Sequence, residues 1–172
     1  MAQPRLTLAA QYLRHVADLL RGMGADVQHW LELHELNEAE LERAALTLDL
    51  PSLSRLLLDA EAIAREPALG LFVGERLVAR THGFVGYAAL KSRTLRELLD
   101  VLQQFLGLRI SVLALTYHVA GSDVRVFLNQ VFPLGEIQRP VLEAVVMSVR
   151  NILEAVSVGA CESATSTTRR WG

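Results

Sequence analysis

The sequence predicts an α+β domain with a helical N-terminal half, a β-hairpin or small antiparallel sheet, and a long C-terminal helix. Three observations carry that expectation. Apolar residues recur three and four apart through most of the first third of the chain. Two runs rich in β-branched and aromatic residues flank Ala120-Gly121-Ser122-Asp123, and a further helical stripe follows Pro140.

From Leu6 to Leu20 the apolar positions are 6, 9, 10, 13, 16, 17 and 20, one face of a helix that Gly22 and Gly24 end. A short helical piece over Val27 to Leu33 puts Trp30 and Leu33 on one side. Asn37 then precedes Glu38-Ala39-Glu40, an N-cap followed by acids where the helix dipole favours them. Pro51 opens the next helix, with a stripe at Leu53, Leu56, Leu57, Ala60, Ile63 and Ala64, and Pro67 stops it. Between Ala68 and Leu90, Gly70, Gly74, Gly83 and Gly86 interrupt apolar residues without a clean period, the pattern of turns or of closely approaching backbones. Thr94-Leu95-Arg96-Glu97 is a capping box, and the helix it starts carries its stripe at 95, 98, 99, 102, 105 and 106.

Arg109 to Val119 and Val124 to Phe132 read as two strands joined by a four-residue connection. The first strand is expected to be buried on both faces. The second alternates Val124, Val126 and Leu128 against Arg125, Phe127 and Asn129. Pro140 begins a helix reaching about Val156. Residues 1–159 are expected to form one domain, and the Ser/Thr-rich stretch 160–172 a disordered tail.

A chain of 172 residues suits a single domain with one core and one modest pocket. No run of about 18 uncharged apolar residues occurs, so no membrane span is expected. The opening MAQPRLTLAA lacks the pattern of a signal peptide, which points to a cytoplasmic location. With 17 basic and 19 acidic residues well mixed and a net charge of −2, the chain has no basic patch with which to neutralise phosphates. A single cysteine, Cys161, excludes an internal disulfide and a cysteine zinc cluster. His15, His29 and His34 do not fall at metal-ligand spacings, no Gly-x-Ser-x-Gly elbow or phosphate loop occurs, and neither a cofactor nor an enzymatic activity is expected.

The motifs in their order say more than any one of them. Glu66-Pro67-Ala68-Leu69-Gly70-Leu71 is followed by Gly74, then by His82-Gly83-Phe84-Val85-Gly86-Tyr87-Ala88, then by Ser92-Arg93-Thr94-Leu95 with Glu97 and Leu98. Upstream stand Gly24-Ala25-Asp26-Val27 through Leu33, and then Leu41. Together these resemble the arabinose-binding-type N-terminal domain of AraC/XylS transcription regulators, over roughly residues 6 to 156. The resemblance implies a dimeric regulator whose N-terminal domain takes a small effector, while a pair of C-terminal helix-turn-helix units, absent from this sequence, contacts DNA. It also implies further strands beyond the last helix, where this sequence has its polar tail, so that a pocket would be incomplete or completed by a second chain.

The candidate effector-contacting residues are His82 in the glycine-rich segment, Phe84 and Tyr87 beside it, and Arg109 and Tyr117 near the hairpin. Arg109 and Arg125 suit pairing with an effector carboxylate. Tyr117 and His118 lie on opposite faces of one strand, so only one of them can meet a given cavity. Leu142, Val145, Val149, Ile152 and Val156 step by three and four, a seam that serves either to cover the sheet or to pair two chains as a homodimer. The functional expectation is an effector-sensing regulatory domain; the alternative is a dimerisation or interaction module without an effector pocket.

Overall fold

A computed structural model describes residues 5–109, 111–121 and 123–168, with side chains described for 9–107, 111–121 and 123–157. Strand β1 (Arg5–Leu8) pairs antiparallel with β2 (Leu46–Asp49), Arg5 opposite Asp49 and Leu8 opposite Leu46. The first helix, α1 (Ala10–Gly22), therefore starts later than its apolar stripe suggests. Arg-Leu-Thr-Leu satisfies a period of two as well as the helical period, and Leu-Thr-Leu-Asp, far along the chain, supplies its ladder. From Ala10 onward the expected stripe holds, with Ala10, Leu13, Val16, Ala17 and Leu20 buried.

Asp26 caps α2 (Val27–Leu33) by accepting the His29 amide at 3.0 Å. Trp30 goes inside as expected, but its companions are Val27 and Leu31, and Leu33 faces solvent. The indole N–H of Trp30 donates to the Leu56 carbonyl at 3.1 Å, so the largest buried ring leaves no donor unmet. A capping box starts α3 (Glu38–Leu41): Asn37 Oδ1 accepts the Glu40 amide, and Glu40 accepts the Asn37 amide. Asp49 caps α4 (Leu50–Ala64), which has Pro51 in its first turn, buries Leu53, Leu56 and Ala60, and ends at Arg65 in the left-handed region, φ 51°.

The glycine-punctuated segment is largely helical, not an apolar loop. It comprises α5 (Leu69–Arg76), a 3₁₀ turn (Ala79–His82) and α6 (Phe84–Leu90). Gly70 and Gly74, one turn apart, share a face of α5. Both meet α8 (Gln138–Thr168): a Cβ at Gly70 would strike the Pro140 backbone, and one at Gly74 would lie 2.6 Å from Met147 Cβ. Close helix contact thus offsets the low helix propensity of glycine, a trade that no local pattern displays. Gly86 likewise lies against the Ala79 carbonyl, while Gly83 (φ +57°) serves the turn and has open space around it.

In α7 (Leu95–Arg109), Thr94 Oγ1 accepts the Glu97 amide at 3.1 Å. The returning carboxylate takes the Arg93 amide at 2.7 Å, one residue earlier than in a standard capping box. Leu98, Leu99 and Leu102 are buried; Leu95, at the helix start, is exposed. Strands β3 (Leu113–Ala120) and β4 (Asp123–Gln130) form the hairpin with Leu113 opposite Gln130 and Ala120 opposite Asp123, so the connection is 121–122 and not four residues. Ser122 lies outside the described residues. Only the base of β3 is buried: Leu113 and Leu115 are covered, whereas His118 and Val119 are exposed.

Helix α8 packs chiefly along α5, and its stripe is used within the chain. Val145 and Ile152 are buried, and Leu142, Val149 and Val156 pack against the two apolar clusters of the core. The face of α8 turned to α5 is another one, carrying Pro140, Ala144, Met147 and Asn151, whereas Val149, Ile152 and Val156 of the seam share a cluster with Leu98 and Leu102 of α7 and with Leu115 and Leu128 of the hairpin. Val146, on the other side, is exposed. The helix continues to Thr168, into the stretch expected to be a disordered tail; 169–172 lie outside the described residues. No helix among the described residues is long and apolar enough to cross a membrane.

Candidate functional site

Helices α1, α4, α5, α7 and α8 do not close completely on one another. Between them lies a cavity of about 150 Å³, floored by Val112 at the base of the hairpin. Its wall is a product of the stripes described above: Leu13 and Val16 from α1, Leu53 from α4, Val73 from α5, Leu102 from α7 and Val145 from α8. Among the described residues, 22 line it, and none of these is Asp, Glu, Lys or Arg. Its polar members are Tyr12, His82, Ser111 and Ser148.

Three of these are joined. The Tyr12 hydroxyl lies 3.1 Å from His82 Nδ1, and His82 Nε2 lies 2.8 Å from Ser148 Oγ. The chain links three elements, since Tyr12 is on α1, His82 ends the 3₁₀ turn and Ser148 is on α8. The turn is fastened to α1 a second time by Gln11, whose amide donates to the Thr81 carbonyl. Asn151, one turn beyond Ser148, ties α8 to the end of α5, its amide nitrogen 3.0, 3.2 and 3.3 Å from the carbonyls of Gly74, Glu75 and Leu77. Two hydrogens serve three acceptors there, so the bonds are shared.

A serine hydroxyl 2.8 Å from an imidazole has the spacing of a nucleophile and its base. The surroundings do not extend that likeness. Ser148 sits within α8, where backbone amides bond to carbonyls one turn back, so the amides of α8 itself are not turned toward Oγ to hold an oxyanion. The Tyr12 phenol lies on the Nδ1 side of the ring. The arrangement joins α1, the 3₁₀ turn and α8 through one hydrogen-bonded chain at the cavity wall.

Of the residues expected from sequence to meet an effector, His82 lines this cavity. Phe84 and Tyr87 do not. They project from α6 with 76% and 59% exposure, and the ammonium of Lys91 lies 5.4 Å from the Tyr87 ring centre. The helical path of α6 turns Val85, and not its two aromatic neighbours, toward the cavity. Tyr117 stands on the hairpin away from the cavity and donates to Asp100 at 2.6 Å, which pushes its phenol pKa up. Arg125 is exposed on β4, and the side chain of Arg109 lies outside the described residues. Sequence reasoning missed Tyr12 and Ser148. Ser148 did leave a signal, because it occupies an inward position of the α8 stripe, between Val145 and Ile152, where an apolar residue would be expected.

His15, elsewhere on α1, has its pKa lowered. Burial is the main cause, Arg76 and Arg14 add to it, and Asp18 opposes it.

Comparison with known proteins agrees with this architecture. Residues 24–162 match a family model described as the arabinose-binding domain of AraC transcription regulators, N-terminal. The ornithine utilization regulator of Pseudomonas aeruginosa is 29% identical over 126 residues. That match takes in 72% of this chain but only 37% of the length of the relative.

Proposed function

Because the chain belongs to the family of arabinose-binding N-terminal domains of AraC transcription regulators, we propose that it senses a small-molecule effector held in the cavity between α1, α5 and α8. One observation carries the proposal: an apolar cavity whose few polar groups form a chain across three elements. Residues 1–159 form the sensing and dimerisation domain, and DNA is contacted through helix-turn-helix units outside this chain. A net charge of −2, with 17 basic and 19 acidic residues, supports that division of labour. The protein works in the cytoplasm, where its DNA is, and it is not an enzyme.

An effector can shift a regulator only through unequal affinity for two states. In this proposal the states differ in how α8 lies on α5, because α8 contributes both cavity wall and the Ser148 end of the hydrogen-bonded chain. Coupling of this kind typically amounts to about 1–3 kcal/mol. The regulator acts as a homodimer. Since Val145 and Ile152 are buried within the protomer, the pairing surface lies elsewhere than on their seam.

A thermal-shift screen of small molecules tests the reading. A ligand at a hundred times its Kd stabilises by about 2.7 kcal/mol, which for a domain of this size raises Tm by roughly 5–10 °C. Val149→Phe, which fills the cavity from α8, is expected to abolish the shift. If no compound raises Tm while sedimentation shows a dimer that survives dilution, the chain is an interaction module and not a sensor.

A further inference from the structure

We infer that the effector is an uncharged molecule about the size of one ring, apolar over most of its surface, with a single hydrogen-bonding group that seats on Ser148. The inference rests on the proposal that this cavity is the effector site, and it names the chemistry that site accepts.

Size comes first. The cavity volume is about 150 Å³, and a dry engineered cavity of about that volume accommodates benzene. Charge comes second. With no Asp, Glu, Lys or Arg among the described lining residues, an ammonium or carboxylate would leave water without a counter-charge from them, and burial of an unpaired ion is strongly disfavoured. An amino acid with two or three ionised groups is therefore disfavoured, including ornithine, which appears in the name of the P. aeruginosa relative.

The polar group is set by Ser148. It is 6% exposed, one of two buried polar residues among the described residues, and it lines the cavity. A serine hydroxyl has one hydrogen and two lone pairs, and His82 Nε2 engages one of these three sites. The remaining capacity faces a wall that is otherwise almost wholly hydrocarbon. A ligand hydroxyl or carbonyl placed there exchanges its water for Ser148, whereas a further polar group set against the Leu and Val part of the wall, away from Tyr12, His82 and Ser111, would find no partner. The occupant is thus of the phenol or alicyclic-alcohol type, and not a sugar, whose several hydroxyls would each need a partner.

Calorimetry on the full chain with phenol, toluene, benzoate and ornithine as probes tests this, repeated on Ser148→Ala and Val149→Phe. Phenol and toluene are expected to bind the wild-type chain, and Val149→Phe to abolish both. Ser148→Ala is expected to weaken phenol by about tenfold and to leave toluene within about twofold, a contrast that a general loss of structure would not produce. Benzoate at neutral pH is expected to bind at least about a hundredfold more weakly than phenol, and ornithine not at all. Benzoate or ornithine binding that Val149→Phe abolishes would overturn the ligand class while leaving the cavity as the sensing site. Phenol affinity unchanged by Val149→Phe would overturn the site itself. Absence of phenol and toluene binding at millimolar concentration would overturn the size and polarity inferred here.

Discussion

Replacing Gly74 by alanine adds one methyl group inside the α5–α8 crossing. The new carbon would lie 2.6 Å from Met147 Cβ and 2.8 and 2.9 Å from the carbonyl oxygen and Cα of Ala144. Comfortable carbon–carbon contact is about 3.5–4.0 Å, so the two helices must part by about an ångström at that point. Two of the three obstructing atoms are backbone, which leaves little to side-chain adjustment. Overpacking of this kind costs about 1–3 kcal/mol, and the better helix propensity of alanine returns about 1 kcal/mol. The net expectation is a loss of about 0–2 kcal/mol, or up to roughly 8 °C in Tm for a domain of this size, and about 1–3 kcal/mol relative to a glycine-to-alanine change with free space around it. Gly22→Ala is the matched control, because a Cβ at Gly22, the last residue of α1, meets nothing within 4 Å. It is expected to be neutral or to stabilise by up to about 1 kcal/mol. Urea and thermal denaturation followed by circular dichroism measure both. A Gly74→Ala protein as stable as Gly22→Ala would refute the close crossing and, with it, the way this wall of the cavity is built.

Three other expectations follow from the same contacts. Trp30→Phe removes the indole donor to the Leu56 carbonyl and part of a fully buried ring; the urea midpoint should report a loss of about 2–4 kcal/mol. Asn151→Asp should destabilise more than Asn151→Ala, because a carboxylate facing the carbonyls of Gly74, Glu75 and Leu77 is repelled where an amide donates; equal midpoints would contradict the assignment. For His15 the folded pKa lies below its ordinary value of 6.5, so the unfolded chain binds the extra proton first. Its contribution is full above pH 6.5 and is lost as pH falls through the folded pKa. His15→Gln should therefore flatten the fall in stability between neutral and mildly acidic pH, as measured by denaturation at a series of pH values.

Much of this fold was legible because its signals are local. Asn37 with Glu40, Thr94 with Glu97 and Pro51 in a first turn act within one helical turn, and each marks a helix start in the structure. The hairpin was legible for the same reason: its strands adjoin, and a β-branched run needs only its neighbour to be recognised as a strand. The motifs Glu66 to Leu71 and His82 to Ala88 likewise identified the family from order and spacing alone, and residues 24–162 match it.

What needed the tertiary structure was every decision taken between distant segments. Arg5–Leu8 became a strand because Leu46–Asp49 lies alongside it, although the Leu spacing suits a helix equally well. Gly70 and Gly74 stand within a helix despite their low helix propensity because α8 approaches too closely there for any larger residue. The seam from Leu142 to Val156 faces inward because the two apolar clusters of the core, which include residues of α7 and of the hairpin, lie against it. The candidate site is the clearest case. His82 stands 70 residues from Tyr12 and 66 from Ser148, and only the packing of α1, the 3₁₀ turn and α8 brings the three within hydrogen-bonding distance. Periodicity in a sequence states that a residue has an inward side; which neighbours it meets there, and whether they leave a void, depends on how all the inward sides fill a common volume.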